Sequence, residues 1–284
     1  MKVAIIGYGF VGKALHNGLK SNVETYLVDP KLNTHVSELN SFLPEIIFIS
    51  VPTPMNDDGS QKISILEDVI IEIKKLSISS LIVLKSTVVP KYFCDLEKSI
   101  PNLIYNPEFL REKSANEDFL SSELIIFGGQ RNSTDYLADF YKNYTNCKNT
   151  EYQHTDLISA SLIKYSINTF LAAKVTFFNE LFKVFNESGS QDSWTNIINI
   201  ISKDKRIGQS HMEVPGHDGK LGFGGPCFPK DCNALYLYSN ELNEPMGLLH
   251  QVIETNNNIR SSYNSLTERE KEQNINYKDH SNNK

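Results

Sequence analysis

The chain has 284 residues, 40% hydrophobic and 22% charged, an ordinary globular balance that is long enough for two domains with their own cores. Its formal net charge of −6 argues against a general nucleic-acid binder, whose footprint is basic. No apolar run approaches a membrane span, and Met1-Lys2-Val3-Ala4-Ile5-Ile6-Gly7 enters a strand pattern with no room for a signal peptide. A cytoplasmic chain with reduced thiols is therefore expected, with neither nucleic acid nor membrane as partner.

The first part alternates short apolar runs with amphipathic stretches. Residues 3–6, 25–28, 46–50, 81–84, 103–105 and 123–127 read as buried strands, and 11–20, 65–76 and 134–143 as helices. Such alternation predicts an α/β fold, a doubly wound parallel sheet covered on both faces. Between the first strand and first helix stands Gly7-Tyr8-Gly9-Phe10-Val11-Gly12, and Asp29 ends the second strand. The first glycine allows the turn, the second lets backbone approach a pyrophosphate, and the third lets helix and strand pack closely. The helix N-terminus then faces the phosphates, and Asp29 would hold the adenosine ribose, which favours NAD over NADP. Lys85-Ser86-Thr87 closes another strand, at the sheet edge where ligands of such folds sit. In Asn106-Pro107-Glu108-Phe109-Leu110-Arg111-Glu112 the two glutamates are four apart, on one face if the segment is helical.

The pattern changes near residue 150. A long helix is expected over 155–186, with Thr155 as its N-cap and Gly189 as its stop. Lys164 and Asn168 interrupt its apolar side, and a buried lysine needs a partner or a task. A helix over 193–202, a punctuated loop over 203–225, and helices over 230–239 and 245–260 follow. From Ser262 the chain is rich in Asn, Lys and Glu and reads as a disordered tail. The predicted domains are thus 1–150, 151–261 and the tail 262–284. Taken singly, Glu112 reads as a solvated helix charge, Lys164 as a snorkelling side chain and Lys85 as a strand-end charge.

Four cysteines are present, none in CxxC spacing and none with the histidines of a zinc set, so no metal site is expected. Cys94 and Cys147 read as small, semi-buried residues and Cys232 as structural. Cys227 differs. It follows Gly222-Phe223-Gly224-Gly225-Pro226 and precedes Phe228-Pro229-Lys230-Asp231, where Pro229 suits a first helical turn. A thiol near a helix N-terminus beside a lysine is expected to ionise more easily, and the thiolate is the nucleophile.

These segments carry a resemblance. GYGFVG, VPTP at residues 51–54, KSTVVP at 85–90, NPEFLRE at 106–112, KYSINTFLAAKVTFFNE from Lys164 and VPGHDGKLGFGGPCFPKD at 214–231 resemble the UDP-glucose/GDP-mannose dehydrogenase family, in family order up to about residue 260. The resemblance implies a Rossmann-type NAD-binding domain followed by an all-α central domain with a long helix. It implies a four-electron oxidation, in which the C6 alcohol of a nucleotide sugar becomes a carboxylate as two NAD+ are reduced. UDP-glucose is the expected substrate and UDP-glucuronate, a polysaccharide precursor, the product. It further implies roles for residues. Lys164, Asn168 and Asp231 would gather around the C6 oxygen. Cys227 would form a thiohemiacetal and then a thioester, Glu112 would activate the hydrolytic water with help from Thr87, and Glu108 would be a second acid–base group. NAD would meet Gly7, Tyr8, Gly9, Phe10, Val11, Gly12, Asp29, Thr53, Thr87, Glu112 and Lys230. The sugar and diphosphate would meet Glu108, Phe109, Leu110, Arg111, Glu112, Lys164, Asn168, Arg206, Phe223, Gly224 and Cys227.

A homodimer is the implied assembly, consistent with the aromatic face of Phe170, Phe177, Phe178 and Phe185, although these rings can equally pack within the chain. Family members continue into a further nucleotide-gripping domain, and this chain stops at Lys284. It is therefore expected to use a separate polypeptide for that domain, to act as a truncated enzyme with weak substrate affinity, or to be an inactive remnant. Two other readings stay open: a two-electron β-hydroxyacid-type dehydrogenase, which shares the Lys-xxx-Asn pair and does not need Cys227, and an NAD-binding subunit without activity of its own.

Overall fold

The structure, a computed structural model, describes residues 1–76, 78–263 and 265–278. It divides into two compact units, one of Met1–Thr53 and Lys62–Lys164, the other of Pro54–Gln61 and the chain from Tyr165 onward. The division falls inside a helix rather than near residue 150, and residues 54–61 belong with the second unit.

The first unit runs β1 (Lys2–Ile6), α1 (Phe10–Gly18), β2 (Glu24–Val28), α2 (Leu39–Phe42), β3 (Ile46–Ile49), α3 (Ser64–Lys74), β4 (Leu81–Leu84), α4 (Phe93–Ser99), β5 (Ile104–Tyr105), α5 (Ala115–Leu120), β6 (Ile126–Gly128), α6 (Arg131–Tyr144) and β7 (Gln153–Thr155). The strands form one seven-stranded sheet in the order β2-β1-β3-β4-β5-β6-β7. The register is parallel throughout except at β5–β6, which meet antiparallel through Tyr105↔Gly128. The expected doubly wound parallel sheet is present, with this one antiparallel step in it. The link after β5 is taken up by an irregular turn and the short α5, and the chain re-enters the sheet in the opposite direction.

Alternation along the strands divides two cores. Ala4, Ile6, Ile47 and Ile49 face one way and join Leu66, Ile70 and Ile73 of α3. Val3, Ile5, Ile46 and Phe48 face the other and join Ala14 and Leu15 of α1 with Leu137 and Phe140 of α6. These strand residues are at most 3% exposed, which is why the runs read as continuous apolar stretches rather than as alternation. Fully burying each such side chain contributes roughly 1.5–3 kcal/mol.

Helix α7 spans Leu157–Glu187. Its first turn is capped by Asp156, not Thr155, which lies in β7. The Asp156 carboxylate accepts from Ser159 N at 2.8 Å and Ser159 Oγ at 2.6 Å. Gly189, at φ +74, follows its end.

In the second unit come α8 (Trp194–Ile201), α9 (Phe228–Glu241), α10 (Gly247–Arg260) and α11 (Glu268–Glu272). A small core joins Phe178, Met212 and Val214 to Leu181, Phe182 and Trp194. Of the four aromatics on the long helix, Phe178 is 2% exposed, whereas Phe170 and Phe177 are 70% and 59% exposed. Among the described residues no helix is long and apolar enough to cross a membrane.

The expected disordered tail is corrected for the described residues past Ser262. Thr267 and Glu270 form a capping box that starts α11. Glu270 is 1% and Ile275 2% exposed. The segment orders through buried polar contacts rather than through an apolar stripe, and composition does not register those. Residues 279–284 lie outside the described residues. Cys94 is exposed rather than semi-buried, Cys147 is half-buried, and burial pushes the thiol of Cys232 well up.

Candidate active site

Gly7 sits at φ +91, in a conformation that favours glycine, and its N–H donates to Val28 O at 2.9 Å. A Cβ there would lie 2.6 Å from Ser50 O, and one at Gly12 would lie 2.2 Å from Gly7 O. The turn and the helix–strand approach therefore both exclude a side chain. Gly9, the N-cap of α1, has no atom within 4 Å of its Cβ position and no side-chain cap. It is the open cradle that a pyrophosphate needs at a helix N-terminus. The Asp29 carboxylate accepts from Tyr8 N at 2.7 Å and Lys31 N at 2.8 Å, which aims it beside the loop with lone pairs left for ribose hydroxyls. The Tyr8 hydroxyl meets His16 Nδ1 at 2.8 Å, and Phe10 and Val11 open α1. These residues fit a dinucleotide such as NAD. Thr53, buried, donates to the carbonyl of the half-buried Thr87 at 2.8 Å, so those two expected cofactor residues are tied together.

The turn after β5 is irregular rather than helical, which separates the two glutamates. Glu108 turns inward. Lys164, 3% exposed, donates to the Glu108 carbonyl, and its Nζ lies 3.4 Å from Glu108 Oε1 and 5.1 Å from the centre of the Phe109 ring. The other Glu108 oxygen accepts from Leu110 N at 2.7 Å. Lys164 is thus a buried cation with a carboxylate partner, not a snorkelling one. Glu112 is exposed, in a short 3-10 turn (Glu112–Ser114). Arg111 forks onto Asp118, with Nη2 to Oδ1 at 2.7 Å and Nε to Oδ2 at 3.0 Å, and this holds the Asp118 carboxyl below its ordinary range.

In the second unit Cys227 is half-buried and is the N-cap residue of α9, with Pro229 in the first turn as expected. One turn on, Asp231 N donates to Cys227 O at 3.0 Å. Asp231, 1% exposed, accepts from Asn168 Nδ2 at 2.6 Å and Lys230 Nζ at 2.5 Å. Arg206 is 90% exposed at its side chain and forks onto Asp204 of its own loop. Phe223 is buried, and its ring is T-shaped to Phe228 at 6.2 Å.

The residues that hold the cysteine loop escaped the sequence reading. The Asn256 amide clamps Phe223 on both sides: Oδ1 accepts from Phe223 N at 2.7 Å, and Nδ2 donates to Phe223 O at 3.0 Å. Gly222, at φ +72, leaves no room for a Cβ, which would lie 2.5 Å from Asn256 Oδ1. Arg260 bridges Gly222 O at 2.9 Å and Asp218 Oδ2 at 2.6 Å. Glu270 Oε1 accepts from Gly225 N at 3.0 Å and Tyr277 OH at 2.7 Å. A signal existed. Asn256 and Arg260 continue the buried stripe of Leu249, Val252 and Ile253 on α10, and polar residues in a core stripe mark built contacts. Among the described residues no cluster of three or more His, Cys, Asp or Glu could hold a metal ion.

Two family models match the chain. The NAD binding domain model of the UDP-glucose/GDP-mannose dehydrogenase family matches residues 15–145, and its central domain model matches 158–258. A UDP-glucose 6-dehydrogenase from Rickettsia bellii is 38% identical over 199 residues, 67% of this chain and 44% of that protein. The UDP-glucose 6-dehydrogenase YwqF of Bacillus subtilis is 30% identical over 253 residues, 85% of this chain and 55% of that protein. The chain thus spans about half the length of these relatives. The solved UDP-glucose dehydrogenase from Pyrobaculum islandicum shares the fold with a TM-score of 0.75 and 26% identity, over 90% of this chain and 67% of that one. NAD is the cofactor of the first domain, and the chain belongs to the UDP-glucose/GDP-mannose dehydrogenase family.

Proposed function

We propose that this chain carries the oxidising machinery of a nucleotide-sugar 6-dehydrogenase and acts on UDP-glucose. The observation that carries the proposal is Cys227 at the N-terminus of α9, with Asp231 one turn behind it in a buried bond to Asn168. A simple alcohol dehydrogenase has no use for a thiol in that position. Support comes from the named activity of the relatives.

The residues divide by chemistry. The open Gly9 cradle and Asp29 would hold the pyrophosphate and ribose of NAD, with Thr53, Thr87, Glu112 and Lys230 as further contacts. Two NAD+ bound in turn would each accept one hydride from C6, the first from the alcohol to give the aldehyde and the second from the thiohemiacetal to give the thioester. Lys164 and Asn168 present donors suited to the negative charge that develops on the C6 oxygen, and Asp231 or a water it holds takes the hydroxyl proton. The Cys227 thiolate attacks the aldehyde carbon. The resulting C–S bond keeps the aldehyde from escaping between the two oxidations. Glu112 draws a proton from water, the hydroxide breaks the thioester, and the thiolate leaves as the carboxylate forms. Glu108 holds the Lys164 ammonium and can exchange a proton with it. Phe109, Leu110, Arg111, Arg206, Phe223 and Gly224 are the expected sugar–diphosphate contacts. A homodimer is proposed as the working assembly, with Phe170 and Phe177 as the faces it covers. A cytoplasmic location belongs to the same reading.

The test is stoichiometric. Purified chain with limiting UDP-glucose should release two NADH per sugar, with GDP-mannose inert. Cys227→Ala should abolish the second oxidation. One NADH per sugar, with Cys227→Ala indistinguishable from the parent, would overturn the covalent route in favour of two-electron chemistry. NAD binding without turnover of either sugar would leave an NAD-binding subunit.

A further inference from the structure

Lys85 has no task in the chemistry above, yet it is one of the most enclosed cations in the molecule. It follows β4 and is 4% exposed. Its hydrogen bonds go to neutral groups: Nζ donates to Asn106 Oδ1 at 2.9 Å, and lies 3.4 Å from Asn106 O and 3.5 Å from Tyr141 OH. Lys164, by contrast, has a carboxylate partner. An ammonium buried among neutral dipoles costs free energy, so its retention calls for a reason.

Its bonds suggest one. Asn106 is held at every polar atom. Its N–H donates to Leu84 O at 2.8 Å, its Nδ2 donates to Ile126 O at 3.0 Å, and its Oδ1 accepts from Tyr141 OH at 2.6 Å as well as from Lys85. Two residues on, Glu108 meets Lys164. A small cleft of about 30 Å³ lies along this path, lined among others by Lys85, Asn106, Glu108, Phe109, Tyr141 and Cys147. The whole chain of contacts lies within the first unit. We propose that Lys85 is a positioning residue: its ammonium seats the turn from Asn106 to Glu108 and thereby sets where Glu108 holds Lys164.

The proposal rests on the reading that Lys164 and Glu108 serve the sugar. The groups that face Lys85 support it. Burial lowers the Lys85 pKa to about 8, the Glu108 carboxylate draws it back up, and the Lys164 cation pushes it further down. Burial raises both Tyr141 and Cys147, so both stay protonated through that range. Lys85 is then the neighbour whose charge changes near neutral pH, and the seat weakens as it loses its proton.

The experiment has two arms. NMR titration of the full chain labelled with 13C at lysine Cε should find a lysine titrating near pH 8. That signal should vanish in Lys85→Met, move up in Lys164→Met and move down in Glu108→Gln. No such signal, or one indifferent to Lys164→Met and Glu108→Gln, overturns the linkage. In the second arm, Lys85→Met should lower kcat by at least about tenfold with KM for NAD unchanged. Lys85→Arg, which keeps its charge, should restore part of kcat and carry the alkaline limb of the pH profile upward. A Lys85→Met enzyme with the parent's kcat and pH profile overturns the positioning role. Absence of turnover in the parent itself sinks the functional reading instead, and the NMR shifts then decide the linkage alone.

Discussion

The two glycine-rich loops of this chain are built by opposite means. The Gly7 loop is fixed by backbone: Gly7 N bonds Val28 O, and Ser50 O fills the space beside Gly7. The cysteine loop is fixed by side chains from far along the sequence, those of Asn179, Asn256, Arg260 and Glu270. A loop of the first kind shows in its own glycines, which its close neighbours require. A loop of the second kind depends on amides and carboxylates far along the chain, announced at most as polar residues in a buried helical stripe.

Substitutions can sharpen or break that contrast. The largest effect is expected from Gly12→Ala, whose new methyl would meet Gly7 O at 2.2 Å. Backbone cannot yield cheaply there, so the first unit should lose several kcal/mol, on the order of an overpacked core or more, and NAD binding with it. Thermal denaturation with and without NAD checks both. Asn256→Ala should come next, at about 2–4 kcal/mol, because it strands a buried N–H and a buried C=O of Phe223 at once. Its damage should appear in hydrogen exchange of residues 218–227 while NAD affinity stays intact. Equal loss in the Gly7 loop would break the contrast.

Glu270→Gln should cost about 1–2 kcal/mol, since one oxygen that accepts becomes an N–H2 that can only donate. The same site predicts a pH effect. Although burial alone would raise the Glu270 carboxyl, its four hydrogen bonds hold it below the ordinary carboxylate value of 4.5. A carboxyl depressed in the folded state stabilises above its unfolded pKa, and that stabilisation is lost as pH falls through the folded one. The parent should therefore lose stability below about pH 4.5 faster than Glu270→Gln does, which parallel melts at graded pH would show. Smallest in stability is Gly9→Ala, which enters open space at a φ of −74 and should change the melting temperature by a degree or two at most. NAD affinity should nevertheless fall at least about tenfold, because the methyl takes the place of the pyrophosphate. An unchanged NAD affinity in Gly9→Ala would remove that loop from the cofactor site.

Much of the first unit was legible because its strands are continuous Ile, Val and Leu runs and its fingerprint is local. What escaped had a physical reason. Gln153–Thr155 is a strand without an apolar residue at the sheet edge, so no hydrophobic pattern announces it. Ala115–Leu120 is too short to show a helical period. The Lys164–Glu108 pair joins residues fifty-six apart, and only the irregular turn at Asn106 turns Glu108 inward and leaves Glu112 outside. The segment at Glu268–Glu272 orders through Glu270, a residue that composition counts toward disorder.

That last segment does more than fasten one loop. Gln273 O accepts from Met55 N at 3.0 Å, and Asn274 Nδ2 reaches Met55 O at 2.9 Å and Asp57 Oδ1 at 3.1 Å. Glu270 within it closes on Gly225, and Tyr263 just before it closes on Leu221. Two loops distant in sequence therefore share one latch. If the latch opens as a unit, the amides of Met55 and Gly225 become exchangeable in the same event and carry the same opening free energy. A molecule that orders the loop at Met55 would then tighten the loop that ends in Cys227 without touching it, because both draw on a single local-unfolding equilibrium.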